Sequence, residues 1–359
     1  MVSDDRRHAA TVDQWDTDPW LLNTPDGTLD LRTGVMRDPD PKDYMTKITA
    51  VSPDASCPTP LFDKFLDRVT KSDEEYKSYL QRVSGYSLTG STEDHALFFV
   101  HGDGGNGKTV FMVTILEIMG DYHRTAPIET FTDTKNERHS TELAMLRGAR
   151  LVTATETEEG KEWAESKIKQ LTGGEKISAR FMRQDFFEYV PQFKLMISGN
   201  NKPGLKSVDD AIRRRFNLLP FTVKITAEEK DTQLKEKLKT EWPGILAWMI
   251  RGCQEWQERG LSPPEVVTSA TDAYLSEQDT IARWIDQDCV RDPAAFTPLS
   301  NLFAAWDLWR DSIRERRLTS RAFGDRLHAM GFLRGKHNGQ RGHWGIKGPM
   351  INTLSFNRY

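Results

Sequence analysis

The chain has 359 residues, of which 37% are hydrophobic and 28% charged, with a formal net charge of −4. That content supports a large core and two or three domains, and the charge excludes a protein coated in positive charge. No apolar run approaches the ~18 residues of a membrane-spanning helix, and no signal peptide is visible. Cys57, Cys253 and Cys289 are far apart, with no CxxC pair or Cys/His cluster for zinc; the sequence reads as a soluble protein of a reducing, intracellular compartment.

Residues 1–14 are polar and are expected to be disordered. Leu21–Asn23, a Thr-Pro-Asp-Gly turn, Thr28–Leu31 and Arg32-Thr33-Gly34 predict a small β-meander. Leu61, Phe62, Phe65, Leu66 and Val69 share one helical face. Ser72 and Glu75 have capping-box spacing, and the helix they predict carries Tyr76, Tyr79, Leu80 and Val83 and ends at Gly85. These helices are expected to form a bundle in front of the next segment.

Ala96–Val100 reads as a buried strand, and Val110-Phe111-Met112 opens a helix. Between them Gly102-Asp103-Gly104-Gly105-Asn106-Gly107-Lys108-Thr109 fits G-x-x-x-x-G-K-[ST], the phosphate-binding P-loop. Phosphate oxygens need several backbone N–H donors converging on them, and glycine lets the chain pass that close. The helix N-terminus adds partial positive charge. Lys108 is expected to reach the β- and γ-phosphates of ATP, and the Thr109 hydroxyl to hold Mg²⁺.

Gly120 and Pro127 break the pattern, and a short helix is expected near Ser140–Arg147. Arg150–Glu156 is a second buried-strand run that ends in an acid. Glu156 is the first candidate to hold Mg²⁺ and orient the attacking water, and Glu158 the second. A helix from near Trp163 closes at Gly173-Gly174. Lys176–Met182 and Phe186–Val190 then predict a hairpin mixing Lys176, Arg180 and Arg183 with aromatics, a combination suited to a phosphodiester backbone and stacked bases. Lys194–Ser198 is a third buried strand. At its tip Asn200 is placed to contact the γ-phosphate and attacking water. Arg213-Arg214-Arg215 offers a finger for a neighbouring subunit's nucleotide, and such a finger contributes about 10³–10⁵ in rate.

Residues 227–290 read as helical, with an apolar stripe through Trp242, Ile245, Leu246, Trp248, Met249, Cys253 and Trp256. Charge then changes sign: residues 297–359 carry +7 and residues 1–296 carry −11. Leu302, Phe303, Trp306 and Trp309 lie on one helix, and Ser320 is expected to cap another carrying Phe323 and Leu327. Phe332–Arg334 and His343–Ile346 flank a basic loop. Helices followed by a basic β-wing suggest a winged helix, a module that binds double-stranded DNA.

The order of these elements resembles the superfamily 3 helicase part of phage, plasmid and poxvirus primase-helicases, over about residues 15–345. The motifs are Asp18–Asn23, Gly27–Gly34 and Gly85–Gly90, the loop form G-x-G-x-N-G-K-[ST], Lys169-x-Leu171-Thr172-Gly173-Gly174 with Ala179-Arg180, Asn200–Pro203 as sensor 1, and Arg214-Arg215 as arginine finger. The resemblance implies an AAA+-like core in a homo-hexameric ring, with ATP between subunits. It also implies hairpins lining a pore around single-stranded DNA, and 3′→5′ polarity. About 15 residues precede the matching region, which leaves no room for a polymerase-type site. No primase activity is therefore expected in this chain, and a separate primase or a longer parent protein is.

The expected architecture is α/β: residues 15–92 preceding the core, 93–224 a P-loop ATPase core, 225–296 helical, and 297–359 a basic winged-helix-like domain and tail. The expected activity is an ATP-dependent DNA helicase of phage or plasmid replication in a bacterial host cytoplasm. The alternative is a nucleotide-dependent initiator that loads on DNA without unwinding it, and a third reading is a packaging ATPase.

Overall fold

The computed structural model describes residues 11, 14–133, 141–155, 160–206, 208–313 and 317–349. The chain divides into two compact units, Met1–Thr271 and Asp272–Tyr359. Among the described residues no helix is long and apolar enough to cross a membrane.

The first unit opens with the expected meander, β1 (Leu21–Thr24), β2 (Gly27–Asp30) and β3 (Val35–Arg37), paired antiparallel in that order. Helix α1 (Pro60–Thr70) starts on a proline, whose missing N–H costs nothing there. Its next two N–H groups donate to a remote carboxylate, Glu241, at 2.9 Å each. Helix α2 (Glu74–Leu88) departs from expectation at both ends. Its cap is Asp73, which accepts from the Tyr76 N–H at 3.0 Å, instead of the Ser72/Glu75 box. Nor does it stop at Gly85. That glycine lies inside the helix because α8 (Trp242–Arg259) crosses at backbone contact; a Cβ there would lie 2.0 Å from the Cys253 nitrogen.

The centre is a five-stranded, all-parallel sheet in the order β10-β4-β9-β6-β5. Its strands are β4 (Leu97–His101), β5 (His123–Thr125), β6 (Leu151–Thr155), β9 (Lys194–Gly199) and β10 (Phe216–Pro220). Both edge strands, β5 and β10, escaped the sequence reading. β4, β6 and β9 are buried almost end to end, as a sheet covered on both faces requires. Helix α3 (Lys108–Met119) follows β4. Helix α4 (Thr141–Ala144) is shorter than the helix expected near 140–147, since residues 145–147 form a turn. Helix α5 (Glu165–Thr172) starts two residues after Trp163, which is fully buried. Strands β7 (Ile177–Ala179) and β8 (Phe187–Tyr189) form a separate hairpin, shorter than the runs that predicted it. Helices α6 (Asp210–Arg213) and α7 (Leu234–Leu238) precede α8. The expected front bundle does not stand apart: Phe62, Phe65, Tyr79 and Val83 share one core with Phe98, Phe111, Trp248 and Met249.

Helix α9 (Glu265–Gln278) runs across the boundary between the units. The second unit then follows helix–strand–helix–helix–strand–strand: α10 (Thr280–Asp288), β11 (Val290–Pro298), α11 (Leu299–Ser312), α12 (Ser320–Ala329), β12 (Leu333–His337) and β13 (Gln340–Lys347). Its antiparallel sheet has the order β11-β13-β12. Trp284, Trp306, Phe323, Leu327 and Ile346 make its core. The cap of α12 is Thr319, one residue before the expected Ser320.

Candidate functional site

The glycine-rich loop joins the C-terminal end of β4 to the first turn of α3. Gly105 and Gly107 hold φ of 76° and 90°, the left-handed region that glycine enters without strain. At Gly107 a Cβ would also lie 2.7 Å from Val69 and 3.0 Å from Phe65, so α1 supports the loop from below. Gly104 and Gly105 face open space, as a ligand-facing surface needs. Asn106 is buried, and its amide donates to the Phe221 carbonyl at 2.9 Å and to the Asp103 carbonyl. The Ile225 N–H donates to Gly105 O at 2.8 Å, latching the segment after β10 to the loop.

Lys108 is only 6% exposed. Its ammonium donates to Gly102 O and, at 2.9 Å, to Asn200 Oδ1. Sheet register explains the second contact: β4 and β9 pair with His101 opposite Gly199, so Asn200 leaves the sheet beside the loop. Two residues 92 apart in sequence thus meet. Among the described residues Lys108 has no carboxylate partner, and burial pushes its ammonium below the ordinary lysine range against the pull of Asp103. A buried cation held only by neutral oxygens is suited to an incoming anion. Thr109 is exposed in the first turn of α3, beside the open glycines. β6 ends at Thr155, level with Ser198; Glu156 and Glu158 lie outside the described residues.

Sequence reasoning missed His101. Its Nε2 lies 3.2 Å from the Asn200 carbonyl, fixing the backbone of the residue that meets Lys108. Burial, then Lys202, pushes this imidazole below its ordinary range. The available signal was a polar residue closing an otherwise apolar strand.

The three arginines separate by environment. Arg215 is 7% exposed and donates to Thr172 Oγ1 at 3.1 Å and Ala211 O at 2.8 Å. Arg213 and Arg214 are exposed. Leu97 N bonds to Arg215 O, which places the cluster at the N-terminal end of β4. The glycine-rich loop leaves the other end, and five strand residues at about 3.3 Å each separate the two by about 16 Å. Arg214 therefore does not reach the loop of its own chain.

In the β7–β8 hairpin, Ile177, Ala179 and Tyr189 face inward, and the Tyr189 hydroxyl donates to Leu143 O at 2.6 Å. Lys176, Arg180 and Arg183 are all exposed. The Arg180 guanidinium lies 4.8 Å from the Phe186 ring centroid, and Phe181 stacks on Phe187 at 5.4 Å. Phe186 is 61% and Met182 74% exposed, so the tip presents cations and apolar faces together. Arg147 over the Phe187 ring at 5.4 Å is a further cation here that the sequence did not single out.

Residues 2–71 match the family model "D5 N terminal like", and residues 100–215, which hold the glycine-rich loop, Asn200 and the arginines, match "Family of unknown function (DUF5906)". The chain is 26% identical over 299 residues to "Putative helicase L207/L206" of Acanthamoeba polyphaga mimivirus, covering 77% of this chain and 31% of that protein. It is 26% identical over 259 residues to "Putative helicase 022R" of Frog virus 3, covering 66% of this chain and 26% of that one. The chain thus spans about a third or less of the curated relatives it matches. An apo structure of the NrS-1 C terminal region (305–718) shares the fold, with a TM-score of 0.50 and 9% identity over 83% of this chain and 77% of the other. The chain is thus similar to D5-like proteins in its amino-terminal segment and to viral putative helicases over much of its length.

Proposed function

We propose that the chain is the ATP-driven motor of a replicative DNA helicase. The observation that best supports this is the buried Lys108 ammonium, held by Gly102 O and Asn200 Oδ1 at the mouth of a loop whose Gly104 and Gly105 are open. In this reading the loop is a P-loop in an AAA+-like core. Its backbone amides and Lys108 bind the ATP phosphates, and Asn200 senses the γ-phosphate. Thr109 and Glu156 would hold Mg²⁺, which when bound neutralises phosphate charge. Glu156 orients the attacking water.

Arg214 lies away from its own loop, which supports a role in a neighbour's site within a homo-hexamer of the superfamily 3 type. The 175–190 hairpins then line a pore, where Lys176, Arg180 and Arg183 grip single-stranded DNA and move 3′→5′ with hydrolysis. The second unit has the element order of a winged helix. Priming falls to a separate primase or polymerase.

The test is strand displacement on a tailed duplex with ATP. Displacement by the wild-type chain and its loss in Lys108→Ala are expected; hydrolysis without displacement would refute unwinding. That result would favour the second reading, a nucleotide-dependent initiator that loads on DNA, for which the basic residues 297–359 speak.

A further inference from the structure

The geometry points to α5 as a coupling element, which joins the arginine offered to a neighbour's nucleotide to the DNA hairpin of its own chain, with Lys169 and Thr172 as its positioning residues. It rests on the reading of the chain as a ring motor. The segment Lys169-x-Leu171-Thr172-Gly173-Gly174 closes α5. Neither the nucleotide loop nor the hairpin tip described above draws on its side chains. Leu171 is fully buried. Lys169 and Thr172, three residues apart, share one face of the helix, and both reach the segment that carries the arginines.

The Lys169 ammonium donates to Asp209 Oδ2 at 2.5 Å. The other oxygen of Asp209 accepts from Ile212 N at 2.8 Å and caps α6. One carboxylate thus ties α5 to the first turn of the helix that ends just before Arg214. The Thr172 hydroxyl donates to Ile168 O at 2.7 Å and accepts from Arg215 Nε at 3.1 Å. Thr172 is 1% exposed, so this contact is shielded from water. The exposed Arg214 therefore sits between two links: the helix before it is held through Lys169, and the residue after it through Thr172. A shift of Arg214 on meeting a neighbour's phosphate reaches α5 at both points.

The link from α5 to the hairpin is short. Gly173 and Gly174 follow Thr172, and Gly174 holds φ of 74°, a left-handed bend that glycine makes without strain. Lys176, the first hairpin cation, is four residues from Thr172, a span of at most about 14 Å. β7 begins at the next residue, so the helix end pulls on the hairpin root with little slack. Stability does not account for Lys169. Its side chain is 28% and that of Asp209 42% exposed, and ion pairs this open add little to folding. Removing Lys169 therefore tests the link in a folded chain.

The test is linkage between the two ligands. The affinity of the full chain for a labelled single strand is measured by fluorescence anisotropy with and without a non-hydrolysable ATP analogue. A wild-type ratio of at least about fivefold is expected. Lys169→Ala should lower it about twofold, and Lys169→Ala/Thr172→Val should bring it to within about twofold of one. The affinities for the strand alone and for the analogue alone should stay within about twofold of wild type, whereas a folding defect would lower both. The conservative Lys169→Arg/Thr172→Ser should keep the wild-type ratio. A wild-type ratio in Lys169→Ala/Thr172→Val, or a ratio lost only together with the single-ligand affinities, would overturn the role of α5. A wild-type chain that binds strand and analogue independently would overturn it too, while leaving nucleotide binding in place. One that binds no analogue refutes the motor reading itself.

Discussion

Gly85→Ala sets two effects of opposite sign against each other. In the interior of α2 the change gains about 1 kcal/mol of helix propensity. The added Cβ would meet the Cys253 nitrogen at 2.0 Å, Gly252 C at 2.4 Å and Met249 O at 2.5 Å. All three are backbone atoms of α8, so no side chain can swing away. Relieving the closest approach to the 3.4 Å of ordinary contact moves the helices apart by about 1.4 Å. The crossing is held the same way from the other side, because a Cβ on Gly252 would lie 2.1 Å from Gln81 O. Overpacking costs about 1–3 kcal/mol, and a backbone-to-backbone clash belongs at the upper end. The net expectation is a loss of about 2 kcal/mol. Urea unfolding of the full chain reads this as a lower midpoint at unchanged m. Gly104→Ala, where a Cβ meets nothing within 4 Å, is the control and should shift stability by less than about 0.5 kcal/mol. A Gly85→Ala variant as stable as the parent would refute the close-crossing argument.

Arg215→Ala is expected to cost about 2 kcal/mol in urea unfolding, because it removes two charged hydrogen bonds from a buried site. Arg214→Ala should leave the midpoint in place while abolishing ATP hydrolysis; the opposite pattern would exchange their roles. Lys194 is 1% exposed and donates to Thr89 O and to Ser91 O at 3.2 Å. Burial, then neighbouring Arg150, holds its ammonium well below the ordinary lysine range. The unfolded chain therefore binds more protons between the lowered value and the ordinary one, and stability rises with pH across that window. Between two pH values inside that window, each pH unit contributes up to about 1.4 kcal/mol. Urea midpoints at the two pH values should show that rise shrink in Lys194→Met, and an identical rise in both proteins would contradict the assignment.

What the sequence made legible was local. The apolar run of β4, the glycine spacing and the start of α3 are contiguous, so loop and flanks can be read together. Asn200 was singled out because it stands at the tip of β9, another uninterrupted apolar run. The misreadings come from partners distant in sequence. Gly85 looks like a helix stop until α8, some 160 residues later, is seen to need its missing side chain. The α1 N-terminus has no good cap nearby because Glu241 supplies one. Arg215 is indistinguishable from Arg213 and Arg214 in a run of three; the turn that buries it against Thr172 makes it structural. Lys194 and Arg150 begin strands as apparent surface cations, yet both are buried on carbonyls from the N-terminal segment and the end of α2.

The central claim is that one chain's Arg214 completes the phosphate site of another. Mixing two inactive variants tests it most directly, since Lys108→Ala spoils the loop and Arg214→Ala spoils only the donated cation. ATP hydrolysis is measured for each variant alone and for equimolar mixtures with single-stranded DNA present. Recovery of hydrolysis in the mixture is predicted, because some interfaces then pair an intact loop with an intact Arg214. A mixture as inactive as its parts, with assembly intact by solution mass measurement, would contradict the account.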